Sequence, residues 1–595
     1  MRKELITLRN YMSEHHIDAC YLPTADFHAS EYVGDYFKAR EYISGFTGSA
    51  GELIVTANKA GLWTDGRYFI QAERELRGSG IELYRSGVEG VPTPEEFLRI
   101  ELPQQSVLAF DGRLVDGKTG TAFVALVEEK QGSVQADIDF VEEIWHERPQ
   151  LSRKPAFELE LEYCGETRES KCAWLAEEIK KAGCDYHVLS TLDDINWLLN
   201  IRGDDVTHVP VMLSYLIMKK EHVVLYAMDE AVAPVRASLE ESGIEIRPYD
   251  SFYTDLATIP VDATVLLDKK RCNYRIISEI AGEIIDCDNP CILRKAIKNP
   301  TELKNIKQAH VKDGVAVTKF ICWLKQEIGK SGVVITEATA ADKLEEFRRE
   351  QGILDISFDT ISAYNENAAM MHYHASHETA AILKPQGFLL VDSGGHYREG
   401  TTDVTRTIVL GDIPQEWKLH YTTVCKSMFG LANAKFLYGC SGLSLDILSR
   451  GPLWKLGIDY RCGTGHGVGY LLNIHESPNG FRYKVVPERK DGCLLEEGMV
   501  TTDEPGVYIE GSHGIRIENE LVCKKGLKNE YGQFMEFEAI TYVPIDLDAI
   551  DCAYLTDEEI EYINSYHQLV YDKVAPYLSE EEKEWLKTAT RNLTR

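Results

Sequence analysis

Apolar residues near the start of the chain lie three or four positions apart between residues 5 and 12, among charged residues. This spacing predicts an amphipathic helix, and the apolar run at 19–23 predicts a buried strand directly after it. The same order returns in the second quarter of the chain, where a helical pattern over 171–181 leads into an apolar run at 186–189. The weak internal repeat predicts two related domains.

Both copies of the repeat continue through further strand-like runs, at 52–55 in the first and 222–226 in the second. Strands that alternate with helical segments are typical of an α/β architecture. A turn is expected at 201–203 in the second copy. We therefore predict two mixed α/β domains, over residues 1–150 and 151–290.

A third domain is expected from residue 291 to the end, and it begins with a strong helix signal. Asn299 suits a helix N-cap, Pro300 suits the first helical position, and Glu302 stands where the acid of a capping box belongs. Helical patterns then alternate with strand pairs, which indicates an α+β domain. The tail from about residue 555 is helical in pattern and highly charged, so we expect a surface appendage.

The charge balance of the 595-residue chain is strongly acidic, with 64 Lys and Arg against 95 Asp and Glu and a net charge of −31. Such a chain repels phosphate backbones and anionic membrane surfaces, so we expect no nucleic-acid partner. No run of about 20 apolar residues appears, so no membrane partner is expected either. The acidity suits a protein that gathers divalent cations or cationic peptides, although solubility explains it equally well.

The start of the chain and its cysteines indicate a compartment. The first residues lack the apolar core of a signal peptide, and the 14 cysteines are scattered singly without a CxxC pair. Thiols scattered in this way in a large chain are typical of a reducing compartment. We therefore expect a cytoplasmic protein.

Two aspartates stand at neighbouring strand ends in the third domain. An apolar run at 388–391 ends in Asp392 and two glycines, and the segment 401–408, rich in β-branched residues, contains Asp403. This pattern predicts a hairpin that turns at the glycines and has one carboxylate on each strand. Two buried carboxylates that face each other repel, and a bound cation is the simplest compensation.

Three further candidate ligands follow in the same domain. His466 stands among glycines in the segment 463–469, where the backbone can approach a site closely. Glu504 and Glu518 each stand in strand-like surroundings. The full candidate set has four carboxylates and one imidazole: Asp392, Asp403, His466, Glu504 and Glu518.

The chemistry of this set indicates a pair of divalent cations, because two such ions would neutralise four carboxylates. Oxygen-rich ligation with one imidazole favours Mn²⁺ over a structural zinc site, although Zn²⁺, Co²⁺ and Fe²⁺ also fit. Two ions about 3.5–4 Å apart would hold a hydroxide between them, which supplies a nucleophile without Ser or Cys. Each motif alone has a structural explanation, as a turn aspartate or a satisfied histidine, whereas all five in order within one domain are specific.

This arrangement resembles the catalytic domain of the "pita-bread" metallopeptidases, a superfamily that includes methionine aminopeptidase, prolidase, creatinase and aminopeptidase P. Nearly the whole chain resembles the long, three-domain, cytosolic form of aminopeptidase P. The segments that carry this likeness outside the ligands are 44–51, 63–68, 200–203, 294–302 and 535–538. The resemblance implies two creatinase-like domains, a pita-bread domain with a helical C-terminal extension, and a homodimer.

The resemblance also implies a role for each candidate ligand. Asp392 would bind one metal, Asp403 and Glu518 would bridge both, and His466 and Glu504 would bind the other. Glu504 would also orient or deprotonate the attacking water.

Four further residues complete the implied site. His372 and His475 match segments that supply proton-shuttling histidines, and a neutral imidazole can donate to an oxyanion or a leaving nitrogen. Arg516 would contact substrate beyond proline or support Glu518, and the alternative interpretation is a salt bridge inside the carboxylate cluster. Cys462 stands where the family usually has a histidine at the wall of the proline pocket, and its thiol is smaller and a weaker donor. A redox-sensitive or soft-metal role for Cys462 is the alternative interpretation.

The implied function is hydrolysis of the Xaa-Pro bond at the N-terminus of peptides that have proline at the second position. The proline nitrogen carries no proton and its ring alters the local geometry, so the enzyme must recognise the ring and protonate the leaving nitrogen. Two alternatives stay open. One is a prolidase of the same fold, limited to Xaa-Pro dipeptides, and the other is a noncatalytic peptide-binding scaffold on an inherited fold.

Overall fold

The computed structural model describes residues 1–485 and 492–595. The chain divides into two compact units. The first consists of Met1–Glu160 and Glu166–Cys291, and the second of Leu161–Gly165 and Ile292–Arg595. Each unit has apolar clusters of its own.

The first unit is built on two six-stranded mixed sheets. Its strands are β1 (Ala19–Pro23), β2 (Glu52–Thr56), β3 (Ala60–Thr64), β4 (Glu82–Arg85), β5 (Val107–Ala109), β6 (Ser133–Gln135), β7 (Phe157–Glu158), β8 (Tyr186–Leu189), β9 (Ile201–Arg202), β10 (Ser214–Lys219), β11 (His222–Ala227), β12 (Ile244–Pro248), β13 (Thr264–Leu267) and β14 (Glu283–Asp286). The sheets have the orders β4-β3-β2-β1-β5-β6 and β12-β11-β10-β8-β13-β14. In each sheet the inner strand, β1 or β8, has one antiparallel and one parallel neighbour. The shared topology confirms the internal repeat.

Helices cover both faces of the first sheet. They are α1 (Lys3–Glu14), α2 (Ala39–Ser44), α3 (Phe69–Glu75), α4 (Pro94–Glu101), α5 (Gly117–Glu129) and α6 (Phe140–Ile144). In β1, Cys20 and Leu22 belong to the apolar cluster that contains residues of α1. Ala19 and Tyr21 belong to the opposite cluster, with α4 and α5. This two-sided burial explains why β1 reads as a continuous apolar run.

The next part of the chain departs from the prediction at one place. Its helices are α7 (Leu161–Cys164), α8 (Arg168–Lys181), α9 (Leu192–Leu198), α10 (Asp229–Val232), α11 (Arg236–Glu241), α12 (Phe252–Leu256), α13 (Tyr274–Glu279) and α14 (Pro290–Ala296). The predicted turn at 201–203 is wrong, because Ile201 and Arg202 form β9 and pair with β7. Ile201 is fully buried, so its main-chain groups need partners, and strand pairing supplies them.

The second unit begins its long helix, α15 (Pro300–Glu327), as predicted. The Asn299 side chain accepts from the main-chain N–H groups of Thr301 and Glu302, and the Glu302 carboxylate accepts from the N–H of Asn299. This capping box satisfies donors that a helix start leaves without partners.

The remainder of the second unit is the predicted α+β assembly. Its strands are β15 (Asp355–Ile356), β16 (Ile361–Tyr364), β17 (Phe388–Ser393), β18 (Gly395–Tyr397), β19 (Gly400–Thr401), β20 (Val404–Val409), β21 (Lys435–Leu437), β22 (Gly465–Gly467), β23 (Glu476–Phe481), β24 (Val500–Asp503), β25 (Gly506–Ile509), β26 (His513–Arg516), β27 (Asn519–Asn529) and β28 (Gly532–Ala539). Its further helices are α16 (Glu337–Glu350), α17 (Gln415–Ala432), α18 (Gly442–Trp454), α19 (Asp557–Val574) and α20 (Glu580–Ala589). The sheets are β16-β17-β20, β15-β18-β19, β21-β28-β27-β24-β22-β23 and the pair β25-β26.

The predicted hairpin of the two aspartates is present, but its turn lies elsewhere. β17 and β20 pair antiparallel, with Asp392 opposite Thr405. The chain does not turn at the glycines, because the pairing continues into β18 and β19. A Cβ on Gly394 would lie 1.8 Å from the carbonyl oxygen of Thr402, so the missing side chain permits this close approach.

The prediction of a surface appendage at the C-terminus is wrong, although the helical prediction is confirmed. One face of α19 is buried in the main apolar cluster of the second unit, through Ile560, Ile563, Tyr566, Val570 and Val574. These residues follow helical spacing, whereas the acidic residues occupy the other face. The abundance of charge along the tail therefore concealed an amphipathic helix.

Two further features concern the helices and the cysteines. In the described part of the chain, no helix has both the length and the apolar character needed to cross a bilayer. All 14 cysteines are free thiols, and most of them are buried or partly buried.

Candidate metal centre

The five predicted ligands lie within or directly beside strands of the second unit. Asp392 is in β17, Asp403 directly precedes β20, and His466 is the central residue of β22. Glu504 directly follows β24, and Glu518 stands between β26 and β27. The main-chain N–H of Glu518 donates to the carbonyl of Thr405 in β20. This bond joins the sheet of the aspartates to the segment of the late glutamates.

Distances bring the predicted ligands together. The Nε2 atom of His466 lies 3.5 Å from Oδ2 of Asp403 and 3.7 Å from Oε1 of Glu504. One donor atom each from Asp403, His466 and Glu518 lie within 4.8 Å of one another, a spacing that one metal ion could bridge. Asp392 joins the cluster electrostatically, since its charge raises the pKa of Asp403.

Burial and mutual repulsion disfavour ionisation of these acids in the metal-free protein. The pKa of Asp403 is raised well above its usual range by burial first, and then by Asp392 and Glu504. The pKa of Glu518 is likewise raised by burial and then by Asp403. Burial also raises the pKa of Glu504, although a nearby imidazole and guanidinium oppose it. Cations in the cluster would compensate these charges and favour the ionised forms.

Two carboxylate oxygens test whether the cluster fits metal ions. Within the described residues, Oδ1 of Asp392 and Oδ1 of Asp403 are buried without a hydrogen-bond partner. A buried charged oxygen that lacks a partner is costly. Carboxylate oxygens with one imidazole form a donor set suited to paired divalent cations. The residues present therefore fit a two-metal centre.

The main chain around His466 orients its ring. Its N–H donates to the hydroxyl of Thr502, and a Cβ on Gly465 would lie 1.8 Å from the Thr502 carbonyl oxygen. Nδ1 lies 2.9 Å from the carbonyl oxygen of Gly467. When Nδ1 donates to that carbonyl, the lone pair of Nε2 faces Asp403 and Glu504, as metal ligation requires.

A buried arginine holds the loop that leads to His466. The guanidinium of Arg450 donates to the carbonyls of Tyr460 and Cys462 and to the hydroxyl of Thr464. Arg450 is also paired with Asp446 one helical turn earlier in α18. Arg450, on α18, therefore holds the loop that carries Cys462 in place.

Two buried residues that sequence reasoning missed contact the candidate ligands. Oε1 of Glu520 accepts from the main-chain N–H of Asp403 at 2.7 Å, and Oε2 lies 3.1 Å from Nε2 of His310 on α15. The hydroxyl of Thr405 donates to Oε2 of Glu518 at 2.7 Å. Glu520 stands two positions after Glu518, and this strand period was a signal that could have found it.

Arg516 lies inside the acidic cluster and is almost fully buried. Its Nη2 donates to Oδ2 of Asp392, its Nε to the hydroxyl of Thr405 at 3.2 Å, and its Nη1 to the hydroxyl of Tyr508 at 2.7 Å. These contacts match the alternative interpretation, a salt bridge inside the carboxylate cluster, and the acid involved is Asp392. A contact between Arg516 and substrate stays a prediction.

The predicted histidines and the cysteine lie in three different segments. The rings of His475 and His466 meet edge to face, with centroids 4.2 Å apart. His372 follows the 3₁₀ turn Asn365–Ala369 and is half-buried. Cys462 packs with Tyr508 against the main apolar cluster. Burial raises the pKa of the Cys462 thiol to about 12, so the thiol is protonated at neutral pH.

Comparisons with known proteins agree with this arrangement along the whole chain. Residues 5–144 and 147–302 each match a creatinase/prolidase N-terminal domain, 304–525 match metallopeptidase family M24, and 533–593 match the C-terminal region of peptidase M24. Aminopeptidase P2 of Arabidopsis thaliana is 37% identical, over 100% of this chain and 89% of its own length. The chain belongs to the aminopeptidase P family. Xaa-Pro aminopeptidase 1 of Dictyostelium discoideum is 36% identical, over 99% of this chain and 96% of its own length.

A solved structure from the aminopeptidase P family matches the fold. X-prolyl aminopeptidase from Caenorhabditis elegans, described as a cytosolic enzyme with a di-nuclear active site, has a TM-score of 0.93 and 34% sequence identity. The match covers 100% of both chains. It confirms the predicted fold class, in which two creatinase-like α/β domains precede a pita-bread metallopeptidase domain.

Proposed function

We propose that this member of the aminopeptidase P family is a two-metal exopeptidase that hydrolyses the bond between an N-terminal residue and proline. The observation that carries the proposal is the cluster of Asp403, His466 and Glu518, with donor atoms within 4.8 Å of one another. The unpartnered oxygens of Asp392 and Asp403 support a second cation. Full-length similarity to enzymes named Xaa-Pro aminopeptidases supports the bond specificity.

Two divalent cations would be held by Asp392, Asp403, His466, Glu504 and Glu518, with Asp403 and Glu518 shared between them. Mn²⁺ is the proposed metal because four of the five ligands offer hard oxygen donors, and Zn²⁺, Co²⁺ and Fe²⁺ are the alternatives. When bound, such ions polarise the scissile carbonyl and lower the pKa of water to near neutrality.

The residues around the cluster supply the proton transfers. Glu504 lies next to His466 and would take a proton from the attacking water as its oxygen adds to the carbonyl carbon. The C–N bond then breaks, and the proline nitrogen must receive a proton as it leaves. His475, in ring contact with His466, would donate to the oxyanion or to this nitrogen, and His372 would share the task.

Substrate recognition is proposed to use three neighbouring groups. The protonated Cys462 thiol would form a wall of the proline pocket beside Tyr508, where it offers a small, uncharged surface. Arg516 would hold Asp392 and contact the peptide beyond proline. The acidic cluster would attract the free α-amino group, which limits cleavage to chain ends.

A homodimer in the cytoplasm is the proposed assembly and location. The outer face of α18 supports a dimer, since Leu443, Ile447 and Trp454 follow helical spacing and are 38%, 49% and 42% exposed. An exposed apolar stripe of this kind marks a protein interface. We also propose the division into domains 1–150, 151–290 and 291–595, because each of the first two ranges contains one copy of the repeated sheet.

The decisive experiment assays purified protein, stripped of metal and resupplied with Mn²⁺, on three substrates: an Xaa-Pro-Yaa tripeptide, an Xaa-Pro dipeptide and a proline-free tripeptide. Metal-dependent release of Xaa from the Xaa-Pro-Yaa tripeptide, with the proline-free peptide left intact, is the expected result. Cleavage of the dipeptide alone would identify a prolidase. Absence of cleavage with each of several divalent metals would favour the noncatalytic scaffold.

A further inference from the structure

A buried arginine joins the C-terminal extension to the strands of the candidate metal centre. Arg406 lies in β20, three positions after Asp403, and is 2% exposed. Its guanidinium donates to six oxygen atoms at 2.6–3.2 Å, and among the described residues none of its partners is a carboxylate. The acceptors are the carbonyls of Thr405, Glu518, Val543 and Pro544, the side-chain oxygen of Asn519 and the hydroxyl of Tyr566.

One side of this guanidinium contacts β20 and the segment of Glu518, both of which contribute to the candidate metal centre. Nη1 donates to the carbonyl of Thr405 at 2.8 Å and to the carbonyl of Glu518 at 2.6 Å. The same two residues meet again through the Thr405 hydroxyl, which donates to Oε2 of Glu518. The position of the guanidinium therefore determines how the Glu518 segment sits against β20, which begins one residue after Asp403.

The other side of the guanidinium is held by the extension. Nη2 donates to the carbonyl of Val543 and to the hydroxyl of Tyr566, both at 2.8 Å, and Nε donates to the carbonyl of Pro544 at 3.2 Å. Three of the six acceptors thus come from the chain beyond β28. Without them, half of the partners of a buried cation would be lost, and the cation would no longer have one fixed position.

Tyr566 is the residue of α19 that reaches this point. Its hydroxyl accepts from Arg406 and lies 2.8 Å from the carbonyl of Val543 and 2.9 Å from that of Thr541, to which it can donate. The ring is held by the buried face of α19, whose Ile563 and Val570 are fully enclosed. The helix therefore offers a rigid hydroxyl at a defined place.

We propose that the C-terminal extension is a working part of the metal centre, in which Tyr566 is a positioning residue that acts through Arg406 on the Glu518 segment. The inference rests on the proposed ligand role of Glu518. Groups that orient metal ligands from outside the coordination shell typically change metal affinity about 10–100-fold when they are altered. The effect of Tyr566 belongs at the lower end of this range, because one residue stands between it and the ligand segment.

The test compares Tyr566→Phe with Tyr571→Phe in the full-length protein. Tyr571 lies on the same helix and packs against the same apolar cluster, but it has no hydrogen bond to Arg406 among the described contacts. Metal-free proteins are titrated with Co²⁺ and Mn²⁺ against a chelator, and the visible absorption of the Co²⁺-loaded forms is recorded. We expect Tyr566→Phe to weaken metal binding about tenfold and to alter the Co²⁺ spectrum. Tyr571→Phe should match the wild-type protein in both measurements.

Melting temperatures of the metal-free proteins separate positioning from plain stability. A lower melting temperature in Tyr566→Phe with unchanged metal affinity and an unchanged Co²⁺ spectrum would overturn the proposal. Arg406→Lys provides a second comparison. The double variant Arg406→Lys/Tyr566→Phe should bind metal no more weakly than Arg406→Lys alone. Losses that multiply in the double variant would show that Tyr566 does not act through Arg406.

Glu518→Gln distinguishes failure of this inference from failure of the proposed function. Full metal affinity in Glu518→Gln would contradict the proposed metal centre itself, and the inference that rests on it would fail as well. Lost affinity in Glu518→Gln together with unchanged affinity in Tyr566→Phe would overturn only the role of the extension.

Discussion

Replacement of His567 by Gln should change how the stability of the second unit depends on pH. His567 lies on α19, is fully buried, and its Nε2 accepts the main-chain N–H of Ile545 at 3.0 Å. Burial, aided by the charges of Arg406 and Arg591, lowers the pKa of this imidazole to about 3. Gln can offer an oxygen near the position of Nε2 but cannot take up a proton in this range. The variant therefore removes one titration and keeps the acceptor.

The magnitude follows from the difference between the folded and unfolded pKa values. The folded pKa of about 3 lies below the ordinary histidine value of 6.5, so the unfolded state binds more protons between these limits and stability rises with pH. The contribution is fully present above about pH 6.5 and is lost as the pH falls towards 3. The whole shift corresponds to about 5 kcal/mol, at about 1.4 kcal/mol per pH unit.

Urea unfolding of the metal-free protein between about pH 8 and pH 4.5 checks this. At high pH the His567→Gln variant should be less stable by about 1–3 kcal/mol, because the ring no longer fills its site. Its stability should then fall less steeply with decreasing pH, so that the difference between the two proteins shrinks or reverses. His377→Gln is the control, since this side chain is 66% exposed and its variant should follow the unchanged protein. Parallel curves for His567→Gln and the unchanged protein would refute a buried neutral imidazole.

Three further outcomes are expected. Asp403→Asn should lower turnover and metal affinity by more than about 100-fold, because the loss of a ligand proposed to be shared by both ions should cost more affinity than the loss of a group outside the coordination shell; unchanged turnover would contradict the two-metal proposal. Ile447→Asp, on the apolar stripe of α18, should yield monomers in sedimentation experiments, whereas Leu527→Asp, at another exposed apolar site, should not. Cys462→Ala should raise KM for Xaa-Pro-Yaa peptides several-fold and leave kcat nearly constant, since the proposed role of the thiol is to form a wall of the proline pocket and not to take part in the reaction; a loss confined to kcat would contradict this.

The elements that the sequence predicted well are those determined by neighbouring residues. The capping box before α15 uses Asn299 and Glu302 only, so its pattern is complete within one helical turn. The limits of β1 and β8 coincide with the predicted runs because both faces of these strands are buried. The five candidate ligands could be recognised because each stands in a short distinctive segment, although they are more than 120 residues apart at the extremes.

The elements that the sequence predicted poorly depend on distant parts of the chain. Strand β9 forms because residues 157–158 come to lie beside it, and nothing at 201–203 announces that partner. The turn between the two aspartates moved because the approach of Thr402 to Gly394 lets the ladder continue. The tail looked like a solvated appendage because charge dominates its composition, whereas its buried stripe is sparse and spread over one face of α19.

The residues that support the candidate metal centre differ from its proposed ligands in a way that explains why the sequence indicated only the proposed ligands. An acid at the end of an apolar strand is conspicuous, since it is costly to bury without a cation or a donor. Arg406 stands in a β-branched strand with no acid beside it in the sequence, and five of its six acceptors are neutral oxygens from segments more than 100 residues away. No local pattern marks such a group. A support of this kind can be identified only when the fold brings its partners together, and this is why the role of the C-terminal extension becomes visible in the structure and not in the sequence.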